Sequence, residues 1–318
     1  MTNRSLVLLS GEETTIPAAE AKALFLAYDP SSRFSSPERR IIIAESKADP
    51  MVVSRRVAFA RRVGLLIDDP ADAADLVRGR KVRLRSFSTA ASRRPVNPGA
   101  LLRGLDADVD LRRPDYEVTV VDGKKRYLAL TAPGIMVQSW HLRRPRRRAF
   151  FHPSAIFPKL SRALVNLTRC REGQTLLDPF AGTGSILIEA AEVGILPLAM
   201  DQTAKMVEGS LANMKGFSQS WLGVVRADAF NLPVTKVDGV ATDAPYGRAS
   251  STRGKGAANV LHLAMETLPS VLRKGSRLVI MHPKHVAPEP TSEMATEEEH
   301  YLYIHKRLTR AITILRRK

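Results

Sequence analysis

A glycine-rich turn between a strand and a helix is the first feature that could do chemistry. The run DPFAGTGS spans residues 178–185, after a strand candidate at 175–177 and before a helical pattern at 185–193. Glycine lets the backbone approach a ligand closely, and the helix beyond offers free N–H groups. The glycine fingerprint of nicotinamide dinucleotide sites would need a third glycine at the position of Leu187. The GxxxxGK[ST] pattern of phosphate-binding loops is absent from the sequence. The turn therefore fits a nucleotide-like ligand, with an ordinary tight turn as the alternative.

Acidic residues follow three further strand candidates. They are Asp201, Asp228 and Asp243. Ligands of an open α/β sheet lie at the carboxyl ends of its strands, so we expect these acids and Asp178 to surround one crevice. Asp201 is placed to accept hydrogen bonds from ribose hydroxyls, and Asp228 is placed to accept one from an adenine amino group. Each of them alone could instead be a helix cap. The predicted ligand contacts are Asp178, Pro179, Phe180, Ala181, Gly182, Thr183, Gly184, Asp201, Gln202, Asp228 and Ala229.

The segment TDAPYGR, residues 242–248, has the residue types that methylation of a base amine requires. The carboxylate of Asp243 and the carbonyl of Ala244 can accept both N–H groups of the amine. Pro245 fixes the direction of the chain, and Tyr246 can stack on the base. We predict these four residues to be catalytic, with a plain strand-to-loop turn as the alternative.

The elements that must position these residues change character along the chain. The first half mixes short strands and helices, which indicates an α+β region, and the second half follows the βαβα order of a parallel sheet covered by helices. The predicted strands are 5–10, 40–44, 81–88, 117–121, 125–130, 175–177, 197–200, 222–226, 239–242, 277–281 and 311–315. The predicted helices are 17–28, 54–63, 70–77, 97–105, 185–193, 204–215 and 258–272.

Positive charge points to a polyanionic partner. The formal net charge is +17, and residues 51–150 carry 22 basic and 10 acidic side chains. Such an excess attracts nucleic acid by counterion release, although a solubilising basic coat is the alternative. The run HLRRPRRR at 141–148 is too charged and proline-broken to pack as a core element, so we interpret it as an exposed linker whose arginines contact phosphates, or as a plain spacer. The predicted RNA contacts are Arg143, Arg144, Arg146, Arg147, Arg148, His152 and Arg248.

Several classes of protein are disfavoured by composition. Cys170 is the single cysteine, so neither a disulfide framework nor a zinc site is expected. No apolar run approaches the roughly 18–20 residues of a membrane span, and the start of the chain turns acidic at once, unlike a secretory signal. We expect a cytoplasmic monomer that binds no metal.

The motifs resemble those of the archaeal tRNA guanine N2-methyltransferases that modify position ten. The similarity is dense in FFHPSAIFPKLSRALVNLTR (150–169), LLDPFAGTGSILIEA (176–190), MVEGSLANMKGF (206–217) and TDAPYGRASSTRG (242–254). It is looser in 109–130, which resembles the closing strands of a THUMP domain, and it extends to the final strands at 304–315. Ala244 departs from the pattern, since the family usually has proline there.

The resemblance implies an α/β fold with a ferredoxin-like and THUMP region followed by a Rossmann-like class I methyltransferase domain. The implied boundaries are 1–68 for the ferredoxin-like region, 69–140 for THUMP, 141–155 for a basic linker and 156–318 for the methyltransferase domain. It also implies S-adenosylmethionine as methyl donor and tRNA as partner, held at its acceptor end by THUMP.

Other functions stay open at this point. The same motif serves guanine at position six of tRNA, a ribosomal guanine or an adenine amine in DNA, and the choice between one and two methyl groups is open. A non-catalytic RNA-binding protein is a further alternative, for which Ala244 is the best support. A THUMP-bearing thiolation enzyme is disfavoured, because its ATP-binding loop and paired cysteines are missing. The need for a small helper subunit also stays open.

Overall fold

Two compact units make up the chain, residues 1–139 and 140–318. A computed structural model describes residues 2–11, 15–89, 96–97, 99, 101, 105, 107–133, 139–217, 219–245, 256–305 and 308–318. The boundary between the units lies close to the predicted end of the THUMP region. The finer boundaries at residues 68 and 155 stay predictions. No helix in the described ranges has the length and apolar character needed to cross a membrane.

The N-terminal unit is a mixed sheet with helices. Its strands are β1 (Asn3–Leu9), β2 (Arg33–Glu38), β3 (Ile41–Ser46), β4 (Ala60–Ile67), β5 (Lys81–Ser88), β6 (Asp108–Val109), β7 (Tyr116–Asp122) and β8 (Arg126–Thr131). Its helices are α1 (Ile16–Tyr28), α2 (Pro50–Arg56) and α3 (Pro70–Val77). Among the described residues the strand order is β2-β3-β1-β4-β8-β7-β5-β6. The predicted strands 117–121 and 125–130 are confirmed as β7 and β8, which form an antiparallel pair with Val120 opposite Leu128.

One predicted helix in this unit is wrong. Residues 54–63 were expected to be helical, but α2 ends at Arg56 and β4 begins at Ala60. The reason is tertiary: β4 pairs with β1 on one side and β8 on the other, and this central position outweighs local helical spacing. Because β4 and β8 pair, the two predicted N-terminal regions share one sheet. The predicted helix at 97–105 lies mostly outside the described residues.

The C-terminal unit has a Rossmann-like sheet. Its strands are β9 (Thr175–Asp178), β10 (Leu196–Asp201), β11 (Gly223–Arg226), β12 (Val237–Asp243), β13 (Leu272–Pro283), β14 (Met294–His305) and β15 (Leu308–Arg317). Its helices are α4 (Ser139–Leu142, which spans the unit boundary), α5 (Pro158–Leu167), α6 (Ser185–Ala191), α7 (Ala204–Lys215) and α8 (Ala257–Val271). The order is β11-β10-β9-β12-β13-β15-β14, parallel from β11 to β13 and antiparallel beyond. This topology confirms the predicted fold class.

Buried apolar side chains hold the sheet against α8. Leu177 of β9 and Val240 of β12 lie opposite each other and are fully buried. They belong to a core cluster that includes Leu261, Ala264 and Leu268 of α8. The carboxyl ends of β9 and β12 are therefore fixed beside each other, which positions the residues that follow them.

Three helices or strands assigned to this unit were not predicted: α4, α5 and β14. Helix α5 begins at Pro158, a favourable residue for a first helical position, and nearly all of it is buried. Strand β14 lies at the edge of the sheet, where charged side chains such as those of residues 297–299 block further pairing. An edge strand of this kind lacks the apolar alternation by which strands are recognised.

The arginine-rich run 141–148 is only partly exposed. Arg143 and Pro145 are buried, whereas Arg144, Arg146 and Arg147 are exposed, so the expected exposure of the whole run is corrected at the two buried positions. Arg143 is 4% exposed, and its guanidinium donates to Glu189 of α6 at 2.7 and 3.3 Å. Arg162 of α5 donates to the same carboxylate at 2.7 Å. The indole of Trp140 lies about 5 Å from both guanidinium groups. Since Arg143 is buried in an ion-pair cluster, its predicted contact with RNA phosphate does not fit its position.

Glu189 is expected to be essential for the stability of this unit. Replacement by glutamine removes the buried carboxylate that Arg143 and Arg162 share, and breaking a buried ion pair by changing one partner costs about 3–5 kcal/mol. The thermal unfolding midpoint of the unit should fall by roughly 6–20 °C, as calorimetry of the full chain can measure. Glu192→Gln is the matched control, because Glu192 also pairs with Arg143 but is 24% exposed and should change the midpoint little. Equal losses in both variants would contradict this account.

Candidate active site

A cavity of the C-terminal unit lies at the carboxyl ends of the parallel strands. Its volume is about 1000 Å³. The predicted loops after β9, β10 and β12 all line it, together with the segment 152–157 and two residues of β15, Leu308 and Arg310. The structure thus brings the glycine turn and the loop of Asp243 together, the convergence on which the predicted chemistry depends. The roles of the individual residues stay predictions.

The glycine turn is shaped by left-handed backbone and held from α7. Gly182 has φ 52° and Gly184 has φ 77°, values that strain other residues. A Cβ atom at Gly182 would meet nothing within 4 Å, because this face of the turn borders the cavity. Ser210 donates to the Gly182 carbonyl at 2.7 Å, and Asn213 donates to the Thr183 carbonyl at 2.9 Å. These two supports were not predicted, since polar residues on a helix give no local signal of the turn they hold.

Asp201 and Asp228 occupy the predicted positions at the cavity wall. Asp201 accepts hydrogen bonds from the backbone N–H groups of Gly182 (3.1 Å) and Thr203 (2.9 Å). Asp228 accepts from the backbone of Phe230 (3.0 Å) and from Nε2 of Gln202 (3.1 Å). Both carboxylates are therefore oriented by neighbouring loops and line the cavity. Phe230, which packs edge-on against Phe180, adds an apolar wall that sequence reasoning missed.

Asp178 links the loops after β9 and β12. Its Oδ1 accepts from the Thr242 hydroxyl at 2.7 Å and from the backbone of Phe180 at 3.2 Å. The side chain is buried, and this burial raises the pKa of Asp178 to about 7, with nearby Asp243 and Asp201 adding to the effect. A cavity that holds several carboxylates in this way favours a cationic ligand.

Asp243 lines the cavity, and one of its two carboxylate oxygen atoms has no hydrogen-bond partner among the described residues. Its Oδ2 accepts from Nη1 of Arg310 at 2.9 Å, whereas its buried Oδ1 has no hydrogen-bond partner among the described residues. Burial raises the pKa of Asp243 to about 6, although Arg310 opposes this shift. A buried acceptor without a donor is costly, so an N–H group of a ligand that reached Oδ1 would satisfy it.

Arg310 is the main site residue that sequence reasoning missed. It lies on β15 at the cavity wall, and its side chain is 16% exposed. Part of the evidence for its role lies in the strand pattern. Residues 310, 312 and 314 share one face of β15, and Ile312 and Ile314 are buried, so an arginine on this face needs an acidic partner. Which acid it pairs with depends on β13 and β15 being antiparallel neighbours.

Arg310→Gln should move the pH profile of the reaction. Methyl transfer is expected to need ionised Asp243, so kcat falls as pH drops below the pKa of this group. Removing the guanidinium destabilises the carboxylate and raises its pKa, which shifts the acid limb from about pH 6 to higher pH. The measurement is kcat against pH at saturating substrates.

The conservative variant Arg310→Lys keeps the charge and should keep the limb close to its original position. The control is Arg316→Gln, because Arg316 lies on the same strand but pairs with Glu297 and is 47% exposed. An acid limb that stays in place in Arg310→Gln would refute the electrostatic role of Arg310.

Ala244 and Pro245, two further residues predicted to be catalytic, both line the cavity. Ala244 is buried, and its N–H donates to the Met281 carbonyl at 3.0 Å, so the donor that proline would lack is satisfied in the ladder. Tyr246 and Arg248 lie outside the described residues.

The remaining predicted residues also have defined places. Gly184 and Ala229 do not line the cavity, whereas the other nine predicted ligand contacts do. Arg148 donates to the Ser185 hydroxyl at 2.7 Å, and burial lowers its pKa to about 10. His152 lines the cavity, whereas Arg144, Arg146 and Arg147 are exposed. Within the described ranges, no group of three or more His, Cys, Asp or Glu side chains could hold a metal ion.

Comparisons with known proteins agree with this geometry. Residues 145–311 match the family model UPF0020, described as RMKL-like, methyltransferase domain. A tRNA (guanine(10)-N2)-dimethyltransferase of Methanothermobacter thermautotrophicus is 29% identical over 98% of this chain and 99% of its own length. The Pyrococcus abyssi protein of the same name is 30% identical over 77% of this chain and 79% of its own length.

A solved structure supports the fold of the whole chain. The crystal structure of TrmN from Thermus thermophilus covers 99% of this chain with a TM-score of 0.53 at 18% identity. At this identity the likeness concerns the fold alone. The match to the family model extends over more than half of the sequence and includes every loop that lines the cavity. The chain therefore belongs to the RMKL-like methyltransferase domain family, UPF0020.

Proposed function

We propose that this protein methylates N2 of a guanine in tRNA, at position 10, with S-adenosylmethionine as methyl donor. The observation that carries the proposal is the unpartnered Oδ1 of Asp243 at a cavity that also contains the glycine turn. The archaeal relatives named for this reaction align with most of the chain, which favours the same reaction and position here.

The residues at the cavity fit S-adenosylmethionine. The open space over Gly182 admits a ligand close to the backbone. Asp201 is placed to accept hydrogen bonds from ribose hydroxyls, and Asp228 is placed to accept one from an adenine amino group. The carboxylates of Asp178 and Asp243 suit a ligand that carries positive charge. When bound, this cofactor supplies an electrophilic methyl group on a cationic sulfur.

Asp243 is proposed to prepare the guanine amine. The lone pair of this amine is delocalised into the ring, so the nitrogen is a poor nucleophile. Accepting one N–H at Oδ1 of Asp243, and a second at the Ala244 carbonyl, turns the lone pair toward the methyl group. Arg310 holds Oδ2, which keeps the carboxylate in one orientation. After transfer, a carboxyl group with a pKa of about 6 can take up the released proton.

The rest of the chain is proposed to hold the tRNA. Exposed Arg144, Arg146 and Arg147 lie on the segment that leads to the cavity, where they can contact phosphates. The N-terminal unit is proposed to contain a THUMP domain that holds the acceptor end of tRNA, as the resemblance of residues 109–130 implies. The target guanine would then leave its stack to enter the cavity. We propose the cytoplasm as the place of this reaction.

Mass spectrometry of nucleosides tests this function. Unmodified tRNA incubated with the protein and labelled cofactor should yield N2-methylguanosine or N2,N2-dimethylguanosine that maps to position 10. A product at position 6 would keep the chemistry and move the target. Methylation of adenine alone would refute the guanine assignment, and failure of calorimetry to detect cofactor binding would favour a non-catalytic RNA-binding protein.

A further inference from the structure

The segment 143–151 is anchored on one side and exposed on the other. Arg143 pairs with Glu189, Pro145 is buried, and Arg148 donates to Ser185 of α6. The backbone N–H of Phe150 donates to the side-chain oxygen of Asn213 of α7 at 2.8 Å, and the side-chain NH2 of Asn213 donates to the Phe150 carbonyl at 3.0 Å. These contacts with α6 and α7 hold the backbone of the segment in one place.

Glycine on α7 makes the last of these anchors possible. A Cβ atom at Gly209 would collide with the ring of Phe150, so only glycine lets the segment lie this close to the helix. The side chains that point away from the helices therefore sit on a rigid backbone. A rigid presentation reduces the entropy that is lost when a ligand binds to them.

The exposed side chains of the segment include three arginines and one aromatic ring. Arg144, Arg146 and Arg147 are exposed, and the guanidinium of Arg146 lies 5.9 Å from the ring centroid of Phe151. Phe151 itself is 45% exposed. Arginine beside an exposed ring is the combination that binds unpaired nucleic acid, because bases stack on rings while phosphates pair with cations.

The same apolar character continues to the mouth of the cavity. Phe157, the residue before α5, lines the cavity and is 66% exposed. On the other wall, Ile304 near the end of β14 lines the cavity and is 44% exposed. Two large apolar side chains at the cavity are thus left exposed to water.

We propose that the exposed rings of Phe151 and Phe157 form a stacking platform for the unpaired nucleotides that flank the target guanine, and that Ile304 adds an apolar contact at the cavity wall. This proposal rests on the proposed function and specifies the form of its substrate: an unstacked RNA strand, rather than a duplex, enters along the anchored segment. The arginines 144, 146 and 147 match the charge of its phosphates. Phe157 is the central residue because it belongs both to the platform and to the cavity wall.

Steady-state kinetics with tRNA tests the platform at Phe157. Loss of one base–ring stack in Phe157→Ala should raise the KM for tRNA roughly tenfold. The Kd for S-adenosylmethionine, measured by calorimetry, should not change. Phe157→Trp restores a ring and should return the KM close to the wild-type value. Leu222→Ala is the matched control, because Leu222 is 54% exposed in the same unit and does not line the cavity.

Binding of RNA alone separates this proposal from the proposed function. Fluorescence anisotropy of a labelled unpaired oligoribonucleotide should show weaker binding to Phe157→Ala than to the wild type, with an excess of duplex RNA as a poor competitor. If the wild type binds the oligoribonucleotide but methylates no tRNA, the proposed function fails and the platform stands.

Other results would overturn the platform. If the wild type methylates tRNA and Phe157→Ala has an unchanged KM, or if Phe157→Trp gives no recovery, the ring does not stack on a base. A change in sedimenting mass in Phe157→Ala with no effect on RNA would instead assign this surface to a protein contact and overturn the proposal.

Discussion

Asp243→Asn should lose roughly 100- to 1000-fold in the rate of methyl transfer while binding S-adenosylmethionine with nearly unchanged affinity. The variant keeps the shape of the side chain. An amide, however, cannot supply two acceptor oxygens, and its NH2 group would face either Arg310 or the guanine amine. Single-turnover rates at saturating tRNA and cofactor measure the loss, and calorimetry measures the affinity.

The control for this variant lies on the same strand. Asp238 of β12 accepts from the backbone of Thr175 at 2.8 Å and pairs with Arg273, but it does not line the cavity. Asp238→Asn should therefore retain the wild-type rate per folded molecule. If Asp243→Asn lost cofactor binding together with activity, Asp243 would hold the cofactor rather than the amine.

The second large effect concerns the glycine turn. A side chain in Gly182→Val would project into the space where the cofactor is proposed to lie, because nothing stands within 4 Å of a Cβ at this position. Forcing extra atoms into an occupied site costs about 1–3 kcal/mol, so the Kd for S-adenosylmethionine should rise roughly 10- to 100-fold. Calorimetry with the purified variant measures it.

A control variant at a second glycine separates the effect of backbone strain from the effect of filling the cofactor space. Gly173 has φ 77°, is exposed and likewise has nothing within 4 Å of a Cβ, but it does not line the cavity. Gly173→Val bears a comparable left-handed strain of about 1–2 kcal/mol and should retain cofactor affinity. An equal loss of affinity in both variants would show that strain alone is responsible and would remove the argument for the turn.

Much of the cavity was predictable because its residues are local in sequence. The turn at 178–185 is recognisable from its glycines, and the acids at 201, 228 and 243 each lie at or after the end of a recognisable strand. The rule that parallel strands present their carboxyl ends at one edge of a sheet then places them together. Helix α7 was predicted with the bounds that the structure has, since its apolar spacing is regular.

What escaped prediction depends on pairing between distant segments. Arg310 becomes a site residue only because β15 runs antiparallel beside β13. Arg143 was expected on the surface, yet Glu189, 46 residues away, provides the counter-charge that lets it be buried. In each case one charged side chain gives no indication of its partner, and the ion pair is created by the fold.

A structure of the protein with S-adenosylhomocysteine and guanosine monophosphate tests the central claim most directly. We predict the adenosine between Asp201 and Asp228, the sulfur beside the turn at Gly182, and the guanine amine within hydrogen-bonding distance of Oδ1 of Asp243. Cofactor bound away from the glycine turn, or a guanine whose amine points away from Asp243, would contradict it.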